Sequence, residues 1–176
     1  MENLLPVVYI SILLALLSGT AWLIFRQVFK TRNVESSLNK LQNKLKNEKG
    51  TSQEYYELAS IYLDKKLFAQ SVPVFQRALK ESEKEDPENV AMIHNGLGYA
   101  YFAQEQFDIA IRNYKEALKL KPDYVTAINN LGHAYEKKKL TAQALQTYEE
   151  ALKYEPNNTT AKRRAESLRK RFVTSN

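Results

Sequence analysis

Hydrophobic positions follow three different patterns along this chain. Residues 4–25, LLPVVYISILLALLSGTAWLIF, are apolar on every side and hold no charge over 22 positions. At the rise of an α-helix this run covers a hydrocarbon core of roughly 30 Å, which predicts a transmembrane helix. Residues 26–49 are polar, with Leu38, Leu41 and Leu45 as a thin stripe at helical spacing, so a helical stalk is expected to continue from the span. From residue 52 onward the apolar pattern recurs in blocks, and the recurrence itself is informative.

The stretch NGLGYAYFAQEQFDIAIRNYKEALKLKP begins at Asn95, and NNLGHAYEKKKLTAQALQTYEEALKYEP begins at Asn129, 34 residues later. Leu97, Gly98 and Tyr101 return as Leu131, Gly132 and Tyr135. Ala110, Tyr114, Ala117 and Pro122 return as Ala144, Tyr148, Ala151 and Pro156. A catalytic motif has no reason to recur at a fixed period. A helical hairpin does, because it cannot bury its apolar face alone and needs a similar neighbour. The small residue of each pair lets two helices approach, and the aromatic fills the space that remains.

A more worn copy lies upstream. Leu58, Ala59 and Tyr62 take the first-helix places, Ser71, Phe75 and Ala78 the second, and Glu83 stands where the others have proline. Thr51-Ser52-Gln53-Glu54 after Gly50 reads as a capping box, and Asp86-Pro87 reads as an N-cap followed by proline at the first helical position. Pro73 falls inside the second helix of this copy, where a kink or a late helix start is expected. The repeats are placed at 52–85, 91–124 and 125–158.

With that period and those residues, the chain resembles the tetratricopeptide repeat, a helix–turn–helix unit. The predicted fold is all-α: an N-terminal transmembrane helix (1–25), a basic helical stalk (26–50), an α-solenoid of three repeats within 51–158, and a C-terminal capping helix and tail (159–176). In that last segment Ala161, Ala165, Leu168 and Phe172 form one apolar stripe suited to covering the end of the stack. Its other face carries Lys162, Arg163, Arg164, Arg169, Lys170 and Arg171. These cations either solvate the cap or dock an acidic partner. No aromatic interleaves them, so nucleic acid is not supported.

The resemblance implies a concave groove lined by the first helix of each hairpin. Three positions of that helix project into it: Tyr56, Asn95 and Asn129; Ser60, Tyr99 and His133; and Leu63, Phe102 and Glu136. Amides and rings in this arrangement suit an extended peptide, the alternative being that the asparagines merely face water. Chaperone-tail binders in this repeat family clamp a carboxylate with cations. The corresponding places here hold Tyr56, Ser60, Thr126 and Asn130, none of them charged, which argues against that role.

Composition removes several function classes. There is no cysteine among 176 residues, so disulfides, zinc thiolate sites and thiol catalysis are excluded, and two histidines are too few for a histidine-rich metal site. No Ser/His/Asp grouping, phosphate loop or metal-ligand spacing is present, so no enzyme, cofactor, metal or small-molecule substrate is predicted. The net charge of +6 is uneven. The repeats are mildly acidic between two basic flanks, residues 26–49 with seven Lys or Arg against two Glu, and the C-terminal helix.

Those flanks also bear on orientation. The one charged side chain before the apolar run is Glu2, while Arg26, Lys30 and Arg32 follow it. A cleaved signal peptide is the competing reading, with Gly19-Thr20-Ala21 as its candidate cleavage site. The charge order instead favours an uncleaved anchor, with the repeats on the cytoplasmic-type side and Trp22 near the inner interface. The stalk cations then either touch anionic lipid or form an ordinary solvated spacer.

The opening MENLLPVVYISILLALLSGTAWLIFRQVFKTRNVESSLNKLQ, taken with YELASIYLDKKLFAQSVPVFQRALK, resembles a family of cyanobacterial and plastid-encoded proteins. These have one thylakoid span and three such repeats, and are implicated in assembly or stability of photosystem I. The resemblance implies a non-catalytic, membrane-anchored scaffold whose partners are photosystem I subunits or other assembly factors. It would sit in the thylakoid membrane with the repeats facing the stroma or cytoplasm. The absence of a transit peptide agrees with synthesis inside a plastid or cyanobacterium. A membrane-tethered receptor or adaptor for peptide segments of other clients is the alternative.

Overall fold

The computed structural model describes residues 4–174, which contain helices and no strand. The chain divides into two compact units, the first ending at Asn47 and the second beginning at Glu48.

The first unit is a single helix, α1 (Leu4–Asn47). Pro6 lies in its first turn, where the missing N–H has no intrahelical partner to lose. The helix runs without interruption through the apolar and the basic segments, so the change at residue 26 is one of composition and not of secondary structure. It is long and apolar enough to cross a membrane. Its large side chains stand outward, with Val7, Leu13, Leu17 and Ile24 between 56% and 65% exposed. Two hydroxyls of this stretch are satisfied internally: Ser11 donates to the Val7 carbonyl at 2.8 Å and Thr20 to the Leu17 carbonyl at 2.9 Å. That suits a medium that offers backbone and side-chain polar groups no water.

The second unit is a chain of hairpins: α2 (Ser52–Asp64) with α3 (Phe68–Lys80), α4 (Pro87–Ala103) with α5 (Phe107–Leu120), and α6 (Val125–Lys137) with α7 (Thr141–Tyr154). The terminal helix α8 (Thr159–Thr174) follows. Each helix packs on the next, and the first helices of successive hairpins also touch, α2 with α4 and α4 with α6.

Local signals account for the boundaries. Thr51 and Glu54 form the expected capping box at the start of α2. Asp86 accepts a hydrogen bond from the Glu88 amide, and Pro87 opens α4. Helix α4 therefore begins a turn earlier than residue 91, using the extra residues between the first two repeats. Asn158 caps α8, its side-chain oxygen accepting from the Ala161 amide at 2.9 Å.

The hairpin turns share one geometry. Lys66, Glu105 and Lys139 take positive φ of 58°, 60° and 59°. The next amide then reaches back to a tyrosine carbonyl, Leu67 to Tyr62, Gln106 to Tyr101 and Leu140 to Tyr135, at 2.8–2.9 Å. This closes each first helix in the manner of a Schellman cap, with a non-glycine residue in the left-handed position.

One expectation needs correction. Helix α3 does not start late at Pro73, but runs as a single 13-residue helix from Phe68 with the proline inside it. Both Pro73 and Ala69, the residue whose carbonyl loses its amide partner, are exposed, so water can take up the missing bond.

The small–large pairing is visible as contact. A Cβ added at Gly98 would come within 2.7 Å of the Tyr114 ring, and one at Gly132 within 2.9 Å of the Tyr148 ring. Phe75 serves two junctions, because a Cβ at Gly96 on α4 would come within 2.6 Å of its ring. Tyr114, Tyr148, Phe75 and Ile128 are fully buried, amid a run of wholly buried alanines. Ala161, Ala165 and Leu168 of α8 are buried in the same core. Phe172, the fourth member of the expected stripe, lies outside the described side chains.

Candidate functional site

The first helices carry side chains that the core does not use, and these enclose a cleft of about 370 Å³ between α2, α4 and α6. Five of the nine predicted groove residues line it: Tyr56, Ser60, Leu63, Asn95 and Tyr99. The sequence reading also named Thr126 and Asn130 as groove places, and both are there. Met92 and Asp64, which it did not include, line the cleft as well. Met92 sits three residues before Asn95, so the 3.6-residue period was the signal that would have found it.

Aromatic contacts stiffen the walls. Tyr56 meets Phe75 edge-on at 6.0 Å, and Tyr99 meets Phe68 at 6.3 Å. Tyr99 and Met92 are 43% and 39% exposed, side by side on the cleft wall.

An amide relay links the helices beside the cleft. Asn95 pairs with Asn130, whose amide donates to the Asn95 side-chain oxygen at 3.0 Å. The Asn95 amide in turn donates to the Tyr124 hydroxyl at 3.3 Å. Burial pushes the Tyr124 phenol above its ordinary range. Asn129 is half-buried and stands apart from this cleft, and its side-chain oxygen has no hydrogen-bond partner among the described residues.

The remaining predicted groove residues, Phe102, His133 and Glu136, form a second cluster toward α8. The Phe102 and His133 rings lie 5.0 Å apart. Glu136 is only 14% exposed, accepts a hydrogen bond from the Tyr148 hydroxyl at 2.7 Å, and faces Arg164 of α8 at 3.6 Å. It is therefore a paired structural carboxylate and not a free groove charge. Burial, reinforced by the Arg164 cation, holds the His133 imidazole below its usual range. Burial and the bond to Glu136 push the Tyr148 phenol far up.

The predicted basic face is divided in the same way. Arg164 turns onto Glu136, and Arg169 bridges to Glu149 of α7 at 2.6 Å. Lys162, Arg163, Lys170 and Arg171 are exposed. No cluster of His, Asp or Glu suited to a metal ion occurs among the described residues. Rings, amides and one carboxylate around an open cleft can bind a chain, and nothing in it pairs a nucleophile with a base.

Models of the tetratricopeptide repeat match residues 55–85, 98–139 and 125–158. The ycf37 protein of Cyanophora paradoxa is 38% identical over 127 residues, spanning 72% of this chain and 73% of that protein. The chain belongs to the ycf37 family of tetratricopeptide-repeat proteins. Within the same relationship, the chloroplastic tetratricopeptide repeat domain-containing protein PYG7 of Arabidopsis thaliana is 35% identical over 121 residues. That match covers 69% of this chain and 40% of PYG7. Among solved structures, YrrB, described as a tetratricopeptide-repeat protein with an unusual peptide-binding site, superposes with a TM-score of 0.67 at 17% identity. It covers 74% of this chain and 65% of its own, a likeness of fold alone. Repeat proteins of this class are protein-interaction scaffolds, and the ycf37-family chain presents its cleft accordingly.

Proposed function

We propose that this protein is a non-catalytic scaffold, anchored in the thylakoid membrane by α1, that holds protein partners and assists the assembly or stability of photosystem I. The repeats face the stroma or cytoplasm. The partner surface is the cleft of Tyr56, Ser60, Leu63, Asn95 and Tyr99, with Phe102, His133 and Glu136 as its margin. The observation that carries this reading is the exposure of Tyr99 and Met92 beside a relay of asparagines in a cleft without cations. Such a site recognises apolar side chains and backbone amides. The photosystem is drawn from the family resemblance, and the chloroplastic relative agrees with the compartment.

A second reading, a membrane-tethered receptor for peptide segments of many clients, is favoured by the openness of the same cleft. The two separate in one experiment. Tagged protein is recovered from photosynthetic membranes in mild detergent and compared with a Met92→Ala/Tyr99→Ala variant. Enrichment of photosystem I subunits by the parent chain alone supports the assembly role and the cleft. A broad client set lost in the variant supports the receptor. Equal recovery by both proteins removes the cleft from the function.

A further inference from the structure

We propose that the concave face is electrically polarised and selects a partner segment by charge order as well as by apolar content. The segment is extended, has a large apolar body, and carries Lys or Arg at the end over α2 and Asp or Glu at the end over α8. This rests on the reading of the cleft as the partner site.

The first end is defined by what lines it. Asp64 is the one charged residue lining the main cleft. An adjoining cleft of about 210 Å³ shares Tyr56 and Met92 with it, and its one charged lining residue is Glu85. Both carboxylates belong to the first-repeat side, and no lysine or arginine lines either cleft. A basic group is therefore the complement at this end, and an acidic one would meet like charge.

The far end is set by α8. The 34-residue step that carries Asn95 to Asn129 carries Asn129 to Arg163 and Asn130 to Arg164. The structure agrees with that register, because Arg164 reaches the α6 residue Glu136, placing this side of α8 on the same face. Arg163 is exposed beside it, and the helix holds six cations against Glu166 alone. The Arg163–Arg164 side of α8 thus continues the groove, while Arg169 turns to Glu149 of α7.

The dimensions set the length of the segment. The steps from α2 to α4, α4 to α6 and α6 to α8, each on the order of 10 Å, span roughly 30 Å, or about nine extended residues. Tyr56, Met92 and Tyr99 receive the apolar body, while Asn95 and Asn130 offer amides to its backbone.

The test uses the full chain in detergent micelles and four fluorescent peptides sharing a Leu-Tyr-Leu-Phe body. Their ends are basic and acidic, both neutral, both basic, or both acidic. At low salt the peptide of mixed ends is expected to bind about tenfold more tightly than the neutral one, a gap that closes at high salt. Asp64→Lys and Arg163→Glu should each reduce that preference about threefold, while Tyr99→Ala weakens all four peptides alike. A photocrosslinker at the basic end should label α2, and one at the acidic end α8. Equal affinity of the four peptides, still dependent on Tyr99, overturns the polarity and leaves the cleft as the partner site. The reverse crosslinking map likewise overturns the polarity. Failure of every peptide to bind overturns both.

Discussion

In the third hairpin Gly132 on α6 lies against the Tyr148 ring on α7, and the tyrosine hydroxyl donates to Glu136. At the same places in the first hairpin stand Ala59 and Phe75, both fully buried, with Leu63 where the third has Glu136. One filling is dry. The other imports a hydroxyl into the core and must supply an acceptor, and that acceptor in turn draws Arg164 from α8. The difference propagates outward. At the first hairpin this position remains a half-buried leucine lining the cleft, whereas at the third it is consumed by a polar network. Identical backbone units therefore do not offer identical surfaces, and the aromatic chosen for the core helps decide how much of the groove stays open.

This contrast can be broken most severely at Phe75. Replacing it with alanine empties a site shared between two hairpins, and Phe75→Ala should destabilise the repeat unit by about 4 kcal/mol. Denaturant unfolding of the full chain in detergent, followed by circular dichroism, would measure it. A cost below that of an ordinary surface change would mean that the first hairpin does not depend on its dry filling.

Pro73 is next. The equivalent places in the second and third hairpins hold Arg112 and Gln146, both exposed and free to donate a helical amide. Pro73→Ala restores that donor and is expected to stabilise by about 2 kcal/mol in the same assay. Unchanged stability would show that α3 already accommodates the ring without loss.

In the third hairpin the matching test is Tyr148→Phe, which makes its filling resemble that of the first. The lost bond to a carboxylate should cost about 1.5 kcal/mol. Adding Glu136→Gln to that variant should then cost less than it does alone, since the two side chains form one network.

The smallest effect is a pH dependence. His133 titrates below the ordinary value of 6.5, so near that pH the unfolded chain binds more protons than the folded one. Stability contributed by the neutral imidazole is present above that pH and is lost as pH falls through it toward the lower folded value. His133→Asn should flatten this part of the acid limb. In parallel, Arg164→Gln should raise the His133 pKa in an NMR titration by removing the nearby cation. An unmoved titration would place Arg164 too far away to matter.

The features legible in the sequence were those written within one helix or one period. The capping box at Thr51 and Glu54, the Asp86-Pro87 start and the Gly–Tyr register each depend on residues at short or exactly repeated separations, where backbone geometry leaves little choice. The long apolar helix is legible for the same reason, because length and composition alone define it. The site was only half legible. Asn95 lines the cleft, at a position the repeat register gives, but its bond to Asn130 was not legible, since pairing between α4 and α6 follows the rotation of one hairpin on the next. Glu136 and Arg164 read as available charges until α8 brought them within 3.6 Å. Local pattern determines which helices form and which stripe each one buries. The angle at which those stripes stack is set by the packing of glycines and rings at every junction. That angle alone decides which polar residues meet one another and which are left to meet a partner.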